Sequence, residues 1–138
     1  MRSFQREEDE RVVSYIVSPP EPPTDWSADL DTLADALRRE LRAEVRPGST
    51  SEASLDFIVP SSNTIGWVDV DGTSIHIASD LPVAARSAIL LRDAAGGVPP
   101  EGLWLYDEGF NAHVVISAEH SATDLEAAYD RAESEGDD

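Results

Sequence analysis

Trp67, Asp69 and His76 are the residues whose types and spacing come closest to chemistry. An indole face, a carboxylate and an imidazole can shape a pocket or orient a general base once the chain brings them onto one surface. The Asp71-Gly72 pair between two alternating apolar runs does so, because Asp-Gly is a strong signal for a hairpin turn. With those two residues at its centre, Val68 faces Ile75 on one side of the hairpin. Trp67 then faces His76 on the other, beside the Asp69 and Ser74 pair. Cross-strand aromatic pairs stabilise sheets without reacting with anything, so the favoured reading is a pair packed beneath a helix. The rival is a small-molecule or divalent-cation-dependent enzyme working on the Trp67/Asp69/His76 face, which requires a deep pocket beside His76.

A second group lies at Trp104, Tyr106, Asp107, Glu108 and Phe110, around another expected hairpin in which Gly109 is to supply the positive φ of a bulged turn. Aromatic rings beside acids suit the anchoring of an Arg-rich partner, with core packing as the competing explanation. Asp107 and Glu108 are consecutive in a turn, where side chains diverge, so they do not read as an acid/base pair acting across one bond. Asp69, Asp71, Thr73 and Asp80 echo the start of a calcium loop. Gly72 falls at the fourth position instead of the sixth, however, and Ile75-His76-Ile77 reads as strand. His113 and His120 belong to no zinc-binding spacing, and there is no Gly-x-Ser-x-Gly elbow. The sequence thus assigns no catalytic residue, no metal ligand and no cofactor. It leaves Trp67, Asp69, His76, Trp104, Tyr106, Asp107, Glu108 and Phe110 as candidate binding residues.

Composition removes further classes. The 138 residues hold 28 Asp and Glu against 10 basic residues, all Arg, for a formal charge of -18. Without lysine there is no Schiff-base chemistry and no Walker-type phosphate loop; without cysteine there are no disulfides or thiolate sites. Direct nucleic-acid binding is disfavoured, because phosphates are repelled and no basic stripe exists. No stretch has the roughly 18 apolar residues of a membrane span, and the first ten residues lack an apolar signal core, so a cytoplasmic protein is expected. The charge itself fits either a GC-rich or salt-adapted lineage or a surface matched to a basic partner. Eleven acids fall in residues 1–50, six in 51–100 and eleven in 101–138, which leaves a comparatively neutral middle.

The elements that must position these residues follow from periodicity. Residues 1–11 are expected to be a flexible acidic N-terminus, 12–134 one domain and 135–138 an acidic tail. A β-branched run predicts a strand over 11–17, stopped by the Pro19–Pro23 cluster, which reads as a stiff connector. Leu30, Leu33, Leu37 and Leu41 predict a helix capped by Ser27, with Asp35 meeting Arg39. Val45 begins a short strand. Leu55, Phe57 and Val59 alternate as a strand, and the two hairpins follow, each succeeded by a helix: one begun by Asp80 and Pro82, the other by a Ser121–Asp124 capping box. The order β-α-β-β-β-α-β-β-α predicts a single α+β domain, a largely antiparallel sheet packed by two to three helices. The repeated hairpin-then-helix pattern at 64–95 and 103–134 hints at duplication, although the residues do not match.

The function expected from these features is that of a small acidic non-enzymatic binding protein, an immunity-like or inhibitor-like module masking a basic protein partner. Its matching surface would comprise the first helix, the 107–110 turn and the last helix. The enzyme on the Trp67/Asp69/His76 face, and a domain whose acidity reflects salt adaptation alone, are the alternatives.

Overall fold

A computed structural model describes residues 13–20, 25–100 and 102–136. Seven strands form one sheet, β1 (Val13–Ser18), β2 (Glu44–Pro47), β3 (Ala53–Val59), β4 (Thr64–Asp69), β5 (Ile75–Ser79), β6 (Leu103–Asp107) and β7 (His113–Ile116). Three helices, α1 (Leu30–Leu41), α2 (Leu81–Ala94) and α3 (Ala122–Gly136), complete a single α+β domain in the expected order. The spatial order is β2-β3-β4-β5-β1-β6-β7, and every neighbouring pair is antiparallel. The first strand in the chain therefore lies between the two hairpins and joins them.

Strand side chains alternate between faces, and one set is buried throughout. Tyr15, Val17, Phe57, Val59, Val68, Ile75, Ile77, Leu103, Leu105, Val114 and Ile116 form the core with Leu33, Leu37 and Leu41 of α1, Val83, Ala84, Ala88 and Leu91 of α2, and Leu125 and Tyr129 of α3. The helices lie side by side, α2 between α1 and α3. Tyr15 and Tyr129 meet edge to face at 5.7 Å and fix α3 against the centre of the sheet. Gly66 has no side chain because the Phe57 ring fills its place; a Cβ there would lie 2.4 Å from the ring. Buried Arg92 of α2 donates to the carbonyls of Ser117 (2.9 Å) and His120 (2.7 Å), which holds the β7–α3 connection in place.

Several local expectations shift. Asp29, not Ser27, caps α1, its carboxylate accepting from the Thr32 amide at 2.9 Å, because Ala28 is drawn away to bond the Gly72 carbonyl at 2.8 Å. Asp35 pairs with Arg38 at 3.2 Å, and Arg39 turns to Glu40 at 3.1 Å. Asp80 caps α2, and the Ser121–Asp124 box forms at 3.0 and 3.1 Å. Helix α3 continues to Gly136, so residues 135 and 136 of the expected tail are helical. The expected acidic N-terminus at 1–11, most of the proline cluster and residues 137–138 lie outside the described residues.

The two hairpin turns use the same chemistry. Asp69 accepts from Thr73 N (2.7 Å), Thr73 Oγ1 (2.8 Å) and Ser74 N (3.2 Å); Asp107 accepts from Asn111 N (2.7 Å), Asn111 Nδ2 (2.8 Å) and Ala112 N (3.2 Å). In both, the third residue after the Asp is left-handed, Gly72 with φ +72° and Phe110 with φ +54°. The expectation that Gly109 carries the positive φ is corrected, since the Asp107 clamp places that requirement one residue later. Yet Asp69 stands on the helix-free face and Asp107 on the buried one, so the hairpins present opposite sides to the helices. That inversion speaks against a simple duplication.

Gly72→Ala should cost about 1–2 kcal/mol from the left-handed backbone alone, and more because the new Cβ would sit 3.0 Å from the Ala28 carbonyl oxygen. Phe110→Gly should stay within about 1 kcal/mol of the parent, strain relief offsetting lost ring contacts and glycine entropy. Urea unfolding of both variants checks the contrast.

Candidate functional site

The strand register lays one row of side chains across all seven strands on the face opposite the helices. Arg46, Asp56, Trp67, His76, Ile16, Tyr106 and His113 are successive cross-strand partners from β2 to β7. Glu44, Ile58, Ile65, Ala78 and Ser14 form the flanking row on one side, and Trp104, Val115 and Ser18 lie on the other. The large hydrophobic residues exposed among those described are Ile58, Ile65, Val70, Phe110 and Val115. Three belong to this face and two to the hairpin turns at its ends. Ile58 and Ile65 are neighbours on β3 and β4, and Val115 stands at the other side of the sheet on β7.

Two aromatic groups organise it. Trp67 and His76 stack at 4.0 Å with only 3° between their planes. At the other end, Trp104 stacks on His113 at 4.7 Å, while Phe110 lies 5.2 Å from His113 and 5.4 Å from Tyr106. The Tyr106 hydroxyl bonds that of Ser18 at 2.9 Å. Phe110 is half exposed and holds a backbone conformation that bulky residues avoid. Strain of this kind is retained where the surrounding structure over-determines it, and it concentrates at functional sites.

The Trp67–His76 pair matches the expected register, but it is not packed beneath a helix. It stands on the open face as the ridge between two concavities. One, about 330 Å³, is lined by Ser14, Tyr15, Ile16, Ile65, Trp67, His76, Ile77, Ala78 and Glu108. The other, about 270 Å³, is lined by Glu44, Arg46, Ser49, Asp56, Phe57, Ile58, Ile65, Gly66 and Trp67. The sequence missed Ser14, Ile16, Ile65 and His113, because nothing local in a strand says which neighbour it will pair with.

The eight residues singled out from sequence therefore divide. Trp67, His76, Trp104, Tyr106 and Phe110 share the open face, and Glu108 stands at its rim. Asp69 is on that face too, but its carboxylate is taken up by its own turn. Asp107 is buried on the other side. Burial pushes its carboxyl up, yet hydrogen bonds from Asn111 and Ala112 outweigh that and hold it below the usual range. The Tyr15 phenol is pushed up to about 12, by burial first and then by Glu133 and Asp107.

Burial lowers the His76 imidazole below its ordinary 6.5, against the opposing pull of the Asp69, Glu108 and Glu52 carboxylates. Among the described residues it has no hydrogen-bonded carboxylate to orient it as a base, and no group of three His, Asp or Glu converges as a metal site. Neither is any described helix long and apolar enough to cross a membrane. The arrangement offers stacking surfaces, apolar floor and rim carboxylates, the chemistry of binding.

No family model matches this chain, and no curated protein or solved structure matches it either. Its function has to be read from the face itself. The charge there is sparse: among the described residues Arg46 is the one basic side chain on the strands, 3.6 Å from Glu44. The acids of α1 and α3, including Asp31, Asp35, Asp124 and Asp130, lie on the helix side.

Because His76 protonates less readily in the folded state than in the unfolded chain, its contribution to stability is full above about 6.5 and is lost progressively as pH falls below that value. Urea midpoints should thus fall more for the parent than for His76→Gln between pH 7 and pH 5. Equal slopes would show that the imidazole is not desolvated by its stack.

Proposed function

We propose that this protein is a non-enzymatic binding module that covers a basic protein partner with the helix-free face of its sheet. The observation that carries this reading is the concentration of Trp67, Tyr106, Trp104, Phe110, Ile65 and Val115 on the side of the sheet that none of the described helices covers. Aromatic residues in such patches supply most of the binding energy at protein interfaces, with charged groups at the rim. Glu44, Asp56, Asp71 and Glu108 border the face, and the net charge of -18 steers a basic partner towards it from a distance.

This moves the contact surface expected from sequence. The acid-rich α1 and α3 lie on the opposite side and add to the long-range field, while the sheet makes the contact. A masking role of the inhibitor or immunity type, in the cytoplasm, is the setting this chemistry suits. The enzyme reading loses its base-orienting partner, because the Asp69 carboxylate serves the Thr73 turn and His76 stacks on Trp67.

Capture from source lysate on immobilised protein, followed by kinetics with the purified captured protein, tests the reading. The partner should be basic, and its association rate should fall about tenfold or more between 50 mM and 500 mM salt, since screening shortens the steering field. The combined Trp67→Ala, Tyr106→Ala and Phe110→Ala variant, verified as folded by circular dichroism, should lose the interaction. An acidic partner, a salt-independent rate or retained binding by that variant would count against it.

A further inference from the structure

The 330 Å³ concavity between β4, β5 and β1 is at the small end of ligand-site volumes, the size for one side chain rather than an extended molecule. It is lined by the stacked Trp67 and His76 rings, by Ile16, Ile65 and Ala78, and by the polar Ser14 and Glu108. The Trp67 ring is not free to turn, because His76 covers one of its faces at 4.0 Å and 3°. An aromatic wall already held in place loses little entropy on binding. Glu108 is likewise anchored, its backbone amide donating to the Ser14 carbonyl at 2.8 Å, while its exposed carboxylate has no cationic partner among the described residues.

From these groups we infer that the concavity is a receptor for one arginine side chain of the partner, the guanidinium packing against Trp67 and bonded by the Glu108 carboxylate. A guanidinium is planar, weakly hydrated and forked, so it can lie on an aromatic face and still give two parallel hydrogen bonds to a carboxylate. An ammonium is a compact, strongly hydrated point charge that meets only one of these features. A phosphate or carboxylate ligand is repelled by Glu108, and a neutral apolar side chain leaves it without a counter-charge. The site rests on the proposed reading of the face, and adds to it a specific chemical demand on the partner: a protruding arginine at the centre of the contact.

The test is a titration of the full-length ¹⁵N-labelled protein with acetyl-arginine-amide, and in parallel with acetyl-lysine-amide and acetyl-citrulline-amide. The arginine probe should shift the Trp67 indole N–H and the Ser14 and Glu108 amides saturably, with roughly tenfold higher affinity than the other two. Glu108→Gln, an exposed turn residue whose change leaves the core untouched, should lower arginine affinity about tenfold, and Trp67→Leu should do the same. Asp31→Asn on α1 should change nothing. Equal response to arginine and lysine, shifts scattered over α1 and α3, or an unchanged Glu108→Gln variant would overturn the site. Arginine recognition in the absence of any basic partner would retain the pocket and remove the larger reading. A basic partner that binds Glu108→Gln as tightly as the parent would remove the pocket and leave the face.

Discussion

Strand register is the constraint on which everything else in this chain depends. A shift of one residue in any strand would carry its buried set to the solvent and its aromatic set into the core. Two carboxylates prevent this at the hairpins. Asp69 and Asp107 each gather three donors within their own turns, so each hairpin closes in one register only. β1 then links the hairpins by pairing Ile16 with His76 on one side and Tyr106 on the other. The row from Trp67 to His113 follows from those three decisions, and the pairings of β3 with β4 and of β2 with β3 extend it to Arg46.

The helices determine which of the two sheet faces is a core. Three helices side by side shield one layer, and their apolar residues are spent on it: Leu33, Leu37 and Leu41 in α1, Val83, Ala88 and Leu91 in α2, Leu125 and Tyr129 in α3. With both connections after the hairpins leading to the same side, no described helix covers the opposite face. The aromatic residues there are stabilised by one another, as the Trp67–His76 and Trp104–His113 stacks show. Charge and aromatic surface are consequently segregated, carboxylates dense on α1 and α3 and sparse on the strands.

Much of this was legible in the chain itself. Period-2 runs around Asp71-Gly72 specified the Trp67–His76 pairing, and the leucine spacing specified α1, because both are local patterns with a strong geometric meaning. The position of β1 was not, since pairing between Ile16 and residues 60 and 90 positions away has no local signature. For the same reason Trp67 and His76 read as buried: hydrophobic alternation says that a strand has two faces, but not which one the helices will choose. Phe110 was singled out from sequence, but its left-handed backbone was not foreseen, because that conformation contradicts residue preference and only the Asp107 clamp requires it. The acids of α1 were rightly seen as dense, while the side of the molecule they occupy became visible only from the helix packing.

The helix-free face and the charge bear on how two copies of the molecule meet. Two such surfaces pressed together would bury Ile58, Ile65 and Val115 from each copy, an attraction that a neutral protein could not resist at high concentration. Molecules of -18 repel one another well before such contact. Charge repulsion of this kind opposes contact between two copies of the face, and it is absent towards any particle of the opposite sign.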